Sequence, residues 1–198
     1  IIFAPIQPDQ PTHLMATYGR QAISFVRGRG AYLYTADGTE YLDALTGIAV
    51  CGLGHAHPVI AEAIAEQAAT LIHTSNLFEI PWQTAAAQKL AEVSGMEEIF
   101  FSNSGAESNE GAIKIARKFG AQQGIVNPKI LVAEQSFHGR TLATLSATGN
   151  KKVQEGFAPL VQGFIRVPFG DVEAIQEAEK FKKDIDKIKS FVMVLPNQ

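Results

Sequence analysis

The rhythm of apolar and polar positions changes twice along this chain, and each change marks a boundary in its organisation. Residues 1 to about 20 carry Pro5, Pro8, Asp9, Pro11 and Thr12 without a sustained period, which predicts an extended arm. Between residues 22 and 45 apolar and polar groups alternate through Ile23 and Phe25, Tyr32 and Tyr34, then Tyr41 and Leu42. With turns at Gly28-Arg29-Gly30 and Asp37-Gly38, this alternation predicts a small antiparallel meander. The period then becomes helical. Pro58 opens a predicted helix through Ile72, with Ile60, Ile64, Ala68, Leu71 and Ile72 on one stripe. Pro81 to Val93 predicts a second helix.

From about residue 97, short apolar runs alternate with helical patterns. Strands are predicted near 98–102, 129–134, 164–167 and 190–195. Helices are predicted near 105–120 and 172–189, the latter with Asp171 as its N-cap. Such alternation predicts an α/β fold, a mostly parallel sheet flanked by helices, beside a small N-terminal α+β segment. The expected division is residues 1–72 for the arm, meander and first helix, and 73–198 for the first part of a larger domain.

Composition adds little and excludes more. The 198 residues are 46% hydrophobic and 19% charged, ordinary for a globular chain. A net charge of -3 gives no pull towards nucleic acid or an anionic membrane. Lys180, Lys182, Lys183, Lys187 and Lys189 interleave with Asp184 and Asp186 as a solvated helix face. The single cysteine, Cys51, excludes an internal disulfide and fits a reducing, cytoplasmic setting. Between Val50 and Gly52 it is expected to be a small buried residue. No run approaches the ~18 apolar residues of a membrane span, and no charged start precedes an apolar stretch as in a signal peptide. The chain begins at Ile1, so a few leading residues are expected to be missing.

The chemistry concentrates in two segments. Ser102-Asn103-Ser104-Gly105-Ala106-Glu107-Ser108-Asn109-Glu110 lies between the apolar run Ile99-Phe100-Phe101 and a predicted helix. A small-residue turn at a helix start presents backbone N–H groups and the positive end of the helix dipole, a natural anion site. Ser104-x-x-Glu107 is equally a capping box, which needs no ligand. Taken alone, the capping reading has the stronger claim. The second segment follows the predicted strand Ile130 to Ala133 and runs Glu134-Gln135-Ser136-Phe137-His138-Gly139-Arg140-Thr141. Ligands of α/β sheets sit at the carboxyl ends of strands, so both turns are expected to face one crevice. It would hold an anion cradle, an aromatic face, an imidazole and a guanidinium able to grip a carboxylate. That set suits a planar phosphorylated cofactor and a carboxylate-bearing substrate.

Other motifs reduce to plain structure. His55 and His57 are expected in a satisfied turn before a helix. Together with the distant His73 they lack the ligand set of a zinc centre, so no metal site is expected. Gly28-x-Gly30 and Gly52-x-Gly54 lack the third glycine of a dinucleotide fingerprint, and no Gly-Lys-Ser/Thr run exists.

These residues resemble one family. Gly47-Ile48-Ala49-Val50, Leu53-Gly54-His55-Ala56-His57-Pro58, His73-Thr74-Ser75-Asn76-Leu77, the Ser104 to Glu110 stretch and Phe137-His138-Gly139-Arg140-Thr141 occur in the order and spacing of the class III pyridoxal-phosphate aminotransferases. Within that family the chain is most similar to the acetylornithine branch, on His138 to Leu142 and Ser146-Ala147-Thr148-Gly149. The resemblance implies the large domain of fold type I and pyridoxal 5'-phosphate as cofactor. It implies that Gly105 and Ala106 hold the cofactor phosphate through N–H groups, that Ser104 shapes the cradle, and that Phe137 packs on the ring. His138 takes a cofactor-side structural role, because the family's lysine moves the protons. Arg140 binds a substrate carboxylate. That lysine and the aspartate at the ring nitrogen lie beyond residue 198, so no catalytic residue is named. Tyr18 lies in an arm that approaches the site in this family, although aromatic packing has the stronger claim.

The implied reaction transfers the terminal amine of N-acetylornithine to 2-oxoglutarate, a ping-pong exchange in arginine biosynthesis. Succinyldiaminopimelate, ornithine and 4-aminobutyrate enzymes share much of the pattern. A homodimer is implied, with His73 to Asn76 reaching the neighbouring site. One departure stands out: the family's Glu-Pro-x-Gln is here Leu195-Pro196-Asn197-Gln198, which removes a charge. Three readings stay open: the first half of an aminotransferase, a module that binds the cofactor without turnover, and an inactive truncated chain dependent on a partner. The first is favoured for the parent protein and the third for 198 residues taken alone.

Overall fold

A computed structural model describes residues 13–180 of the chain. The strand predicted near 190–195, the end of the helix predicted to 189, the first twelve residues of the arm and the Leu195 to Gln198 ending lie outside the described residues. The chain forms two compact units that part between Ile80 and Pro81, where the sequence pattern suggested a division after residue 72.

In the first unit, β1 (Arg27–Arg29), β2 (Tyr32–Tyr34) and β3 (Glu40–Leu42) form the expected antiparallel meander, in that order. Arg29 pairs with Tyr32, so the first turn is Gly30-Ala31, while Gly28 and Arg29, expected in the turn, belong to the strand. Gly30 supplies the positive φ that the turn needs, +57°. Cross-strand contacts hold the ribbon: the Arg27 guanidinium lies 3.7 Å over the Tyr34 ring, and Phe25 meets Tyr41 edge-on. A short left-handed turn, α1 (Thr46–Ala49), follows β3. Asp43 accepts from the N–H groups of Leu45 and Thr46 and pairs with His55 Nε2 at 2.6 Å. The His55 bond, then the Thr46 N–H, hold the Asp43 carboxyl below its ordinary pKa. His55 thus has its partner as expected, but His57, only partly buried, has a solvent-shielded Nδ1 with no partner among the described residues. Cys51, expected to be buried, is only partly so. α2 (Pro58–Thr70) starts on Pro58 as predicted and ends before Leu71; its stripe stays open, with Ile64 63% exposed.

The second unit opens with α3 (Pro81–Ser94). The run Ile99-Phe100-Phe101, expected as a buried strand, has no regular secondary structure and pairs with no strand among the described residues, and Phe100 is exposed. Apolar composition favours a strand, but only a ladder partner completes one. α4 (Gly105–Gln122) follows, capped by Ser104. It ends in a Schellman turn: Ile125 N–H reaches the Gly120 carbonyl, Gly124 N–H that of Ala121, and Gly124 takes the left-handed position.

β4 (Ile130–Ala133) and β5 (Phe164–Val167) pair in parallel, Ile130 against Phe164 through Ala133 against Val167. Between them lies α5 (Leu142–Ala147), absent from the sequence expectations. α6 (Val172–Lys180) begins as predicted, with Asp171 accepting from Ala174 N–H at 2.8 Å. The core is the meeting of α4, β4 and α5: Ile113, Ile130, Val132 and Ala147 are buried together, with Ala116, Ala143 and Phe164 packed against them. Burial of a side chain such as Ile113 stabilises the unit by about 1.5–3 kcal/mol.

Candidate functional site

The start of α4 and the end of β4 come together in the second unit. Ser104 is extended (φ -155°, ψ 160°), and its hydroxyl accepts from Glu107 N–H at 3.2 Å. The Glu107 carboxylate folds back to Asn103 N–H at 2.8 Å. The capping reading is therefore correct, displaced by one residue at its acidic end. It does not consume the anion site, because the N–H groups of Gly105 and Ala106 precede the one that Ser104 takes. Cap and cradle coexist.

After β4 the chain turns through Gln135 at positive φ and enters the loop 136–141. The Ser136 hydroxyl donates to the Ala133 carbonyl at 2.6 Å, which closes the strand end. Gly139 has φ +135°, and a Cβ there would lie 2.8 Å from Ala106 Cβ and 2.5 Å from Thr144 Oγ1. Only glycine lets the loop pass so close to the cradle. Asn109 Nδ2 donates to the His138 carbonyl at 2.7 Å, and the Thr141 hydroxyl donates to the Glu110 carboxylate.

α5 supports the loop from behind with buried hydroxyls. Thr148 Oγ1 accepts from His138 N–H at 3.0 Å and donates to the Thr144 carbonyl at 2.9 Å. Thr144 Oγ1 accepts from Thr141 N–H at 3.1 Å. The far end of α5 is capped by two side chains: Gln154 Nε2 donates to the Leu145 and Thr148 carbonyls, and Arg166 to those of Ser146 and Thr148. Polar groups this deep are stable because each is satisfied.

His138 is the exception. Its ring is buried, Nδ1 lies 3.3 Å from Ser136 Oγ, and Nε2 has no partner among the described residues. Burial first, then the charge of Arg166, pushes its pKa below the usual histidine value, so the ring is neutral near pH 7. Phe137 is half-exposed and Arg140 exposed.

Of the residues singled out in the sequence, Ser104, Gly105, Ala106, Phe137, His138 and Arg140 thus share one locality, whereas Tyr18 and His73 to Asn76 belong to the first unit. Sequence reasoning missed Asn109, Glu110, Thr141, Thr144 and Thr148 as the residues that assemble it. Helical spacing was the available signal: Asn109 and Glu110 stand three and four residues after Ala106, on its side of the helix. Outward N–H groups, a half-exposed ring and a buried neutral imidazole with a spare nitrogen suit a flat, phosphorylated group.

Comparison with known proteins gives the family. The profile of the class-III aminotransferases matches residues 15–195. An acetylornithine aminotransferase of Nitrosomonas europaea is 54% identical over 174 residues, which cover 88% of this chain and 44% of that protein. One of Prochlorococcus marinus is 45% identical over 193 residues, 96% of this chain and 46% of the relative. The chain therefore spans less than half the length of these curated relatives. Among solved structures, the ornithine aminotransferase of Toxoplasma gondii matches with a TM-score of 0.81 at 29% identity, over 85% of this chain and 40% of that one. An acetylornithine aminotransferase of Elizabethkingia anophelis matches with a TM-score of 0.69 at 28% identity, over 86% and 39%. The α/β architecture expected from the sequence is thus that of the fold type I transaminases. This chain belongs to the class-III aminotransferase family.

Proposed function

We propose that the protein is an aminotransferase that moves the terminal amine of N-acetylornithine to 2-oxoglutarate, with pyridoxal 5'-phosphate as cofactor. The observation that carries this reading is the close approach of the α4 cradle to the loop bearing Phe137 and Arg140. In this reading the N–H groups of Gly105 and Ala106 bind the cofactor phosphate, aided by the α4 dipole. Ser104 fixes the first turn so that those groups face outward. Phe137 packs on the ring, and the neutral His138 lies on the cofactor side as a hydrogen-bonding group without charge. Arg140 holds a carboxylate of the substrate. When bound, pyridoxal phosphate supplies an electron sink for the carbon that bears the amine.

The choice of N-acetylornithine follows from the relatives of that name at 45–54% identity. The same reading places the protein in arginine biosynthesis, in the cytoplasm and as a homodimer. The test is glutamate formation from 2-oxoglutarate by the full-length parent protein with each of N-acetylornithine, succinyldiaminopimelate, ornithine and 4-aminobutyrate, with pyridoxal phosphate present. The expected result is the highest kcat/KM for N-acetylornithine. A higher value for another amine overturns the substrate, and no transfer from any of the four overturns the reaction.

A further inference from the structure

We infer that Asn109 and Glu110, consecutive residues in the second turn of α4, are positioning residues that hold the ring-and-carboxylate loop at a fixed spacing from the phosphate cradle. The inference rests on the proposed cofactor reading and adds to it two residues that take no part in the Ser104 cap.

The two bonds straddle the loop. Asn109 Nδ2 donates to the carbonyl of His138, and Glu110 accepts from the hydroxyl of Thr141, so Gly139 and Arg140 lie between two anchors from one helix. Residues 138 and 141 are also held by hydroxyls of α5 and its C-cap: Thr148 Oγ1 takes His138 N–H, and Thr144 Oγ1 takes Thr141 N–H. Each anchor point is thus bonded both by α4 and by α5 or its C-cap. The Phe137 ring and the Arg140 side chain remain outside the clamp, half-exposed and exposed. The Gly139 backbone sits against Ala106 with no room for a methyl group, so the loop has no nearer position to fall into when an anchor is lost. It can only move away from the cradle.

A separable consequence follows. The cradle belongs to α4 and its Ser104 cap, which neither anchor touches. Phosphate affinity therefore depends on α4 alone, whereas affinity for the whole cofactor also depends on where the loop holds Phe137.

The experiment uses the cofactor-free protein and two probes, inorganic phosphate and pyridoxal phosphate, titrated by calorimetry and by absorbance. Loss of one hydrogen bond in Asn109→Ala is expected to weaken pyridoxal phosphate by about fivefold to twentyfold. Phosphate affinity should stay within about twofold, a split that general loss of structure does not produce. Glu110→Ala is expected to behave alike, and Glu110→Gln, which keeps an acceptor oxygen, to restore the wild-type value; this pair carries the test if Asn109→Ala does not fold. The inference is overturned if both affinities fall together or if neither changes while wild type binds the cofactor. Wild type that binds phosphate but not pyridoxal phosphate overturns the cofactor reading itself, and the inference with it.

Discussion

Gly139→Ala isolates the contact on which the site depends. The added methyl would stand 2.5 Å from Thr144 Oγ1, 2.8 Å from Ala106 Cβ and 3.0 Å from Thr144 Cβ. Neither neighbour can yield cheaply. Thr144 is fully buried, its hydroxyl accepts from Thr141 N–H at 3.1 Å and lies 2.7 Å from the Thr141 hydroxyl. Ala106 is part of the α4 helix, and its Cβ has no rotamer to change. Overpacking of this kind costs about 1–3 kcal/mol. A side chain at φ +135° adds backbone strain of about 1–3 kcal/mol. The expected destabilisation is therefore about 2–6 kcal/mol, measured as the shift in denaturant unfolding. Gly156→Ala is the control: it has φ +84° but open space around it, so it bears strain alone, about 1–2 kcal/mol. If Gly139→Ala costs no more than Gly156→Ala, the close approach of loop and cradle is wrong.

Three further outcomes are expected. Gly111 lies inside α4 with ordinary space for a methyl group, 3.4 Å from the exposed Phe100 ring, so Gly111→Ala should stabilise by about 0.5–1 kcal/mol in thermal unfolding. Ser104→Ala should lose the cap, about 0.5–2 kcal/mol. Ser104→Asp, which keeps a capping oxygen, should retain stability yet weaken phosphate binding, because it places a negative charge at the cradle. The depressed pKa of His138 means that the folded state binds fewer protons than the unfolded state once pH falls below the ordinary histidine value of 6.5. Its contribution to stability is therefore complete above pH 6.5 and is lost as pH falls through the folded-state pKa; His138→Gln should flatten that part of the stability profile.

The legible parts of the sequence were those where local chemistry and tertiary packing agree. α4 had its cap, its acidic first turn and its helical period in one stretch, and the structure uses all three. β4 reads as an unbroken apolar run, Ile130 to Ala133, as a strand inside a parallel sheet does, and β5 interrupts its apolar run only at Arg166, whose side chain reaches the end of α5. α5 escaped because its buried positions include Thr144 and Ser146, followed by Thr148 at its C-cap, polar residues whose hydroxyls are spent on backbone atoms, so no apolar stripe announces it. Ile99 to Phe101 misled in the opposite sense, since a strand needs a partner that composition does not reveal. Phe137, His138 and Arg140 were legible by their company. Asn109 was not, because its partner lies 29 residues away and the neighbouring capping box offered a sufficient local account of the segment.

The central claim is that the first turn of α4 is a phosphate cradle facing the Phe137 loop. A crystal structure of the protein with pyridoxal phosphate tests it most directly. The account predicts the phosphate oxygens within about 3 Å of the Gly105 and Ala106 nitrogens, at hydrogen-bonding distance, with the ring against Phe137. A phosphate bound elsewhere, or a ring with no contact to Phe137, would contradict it.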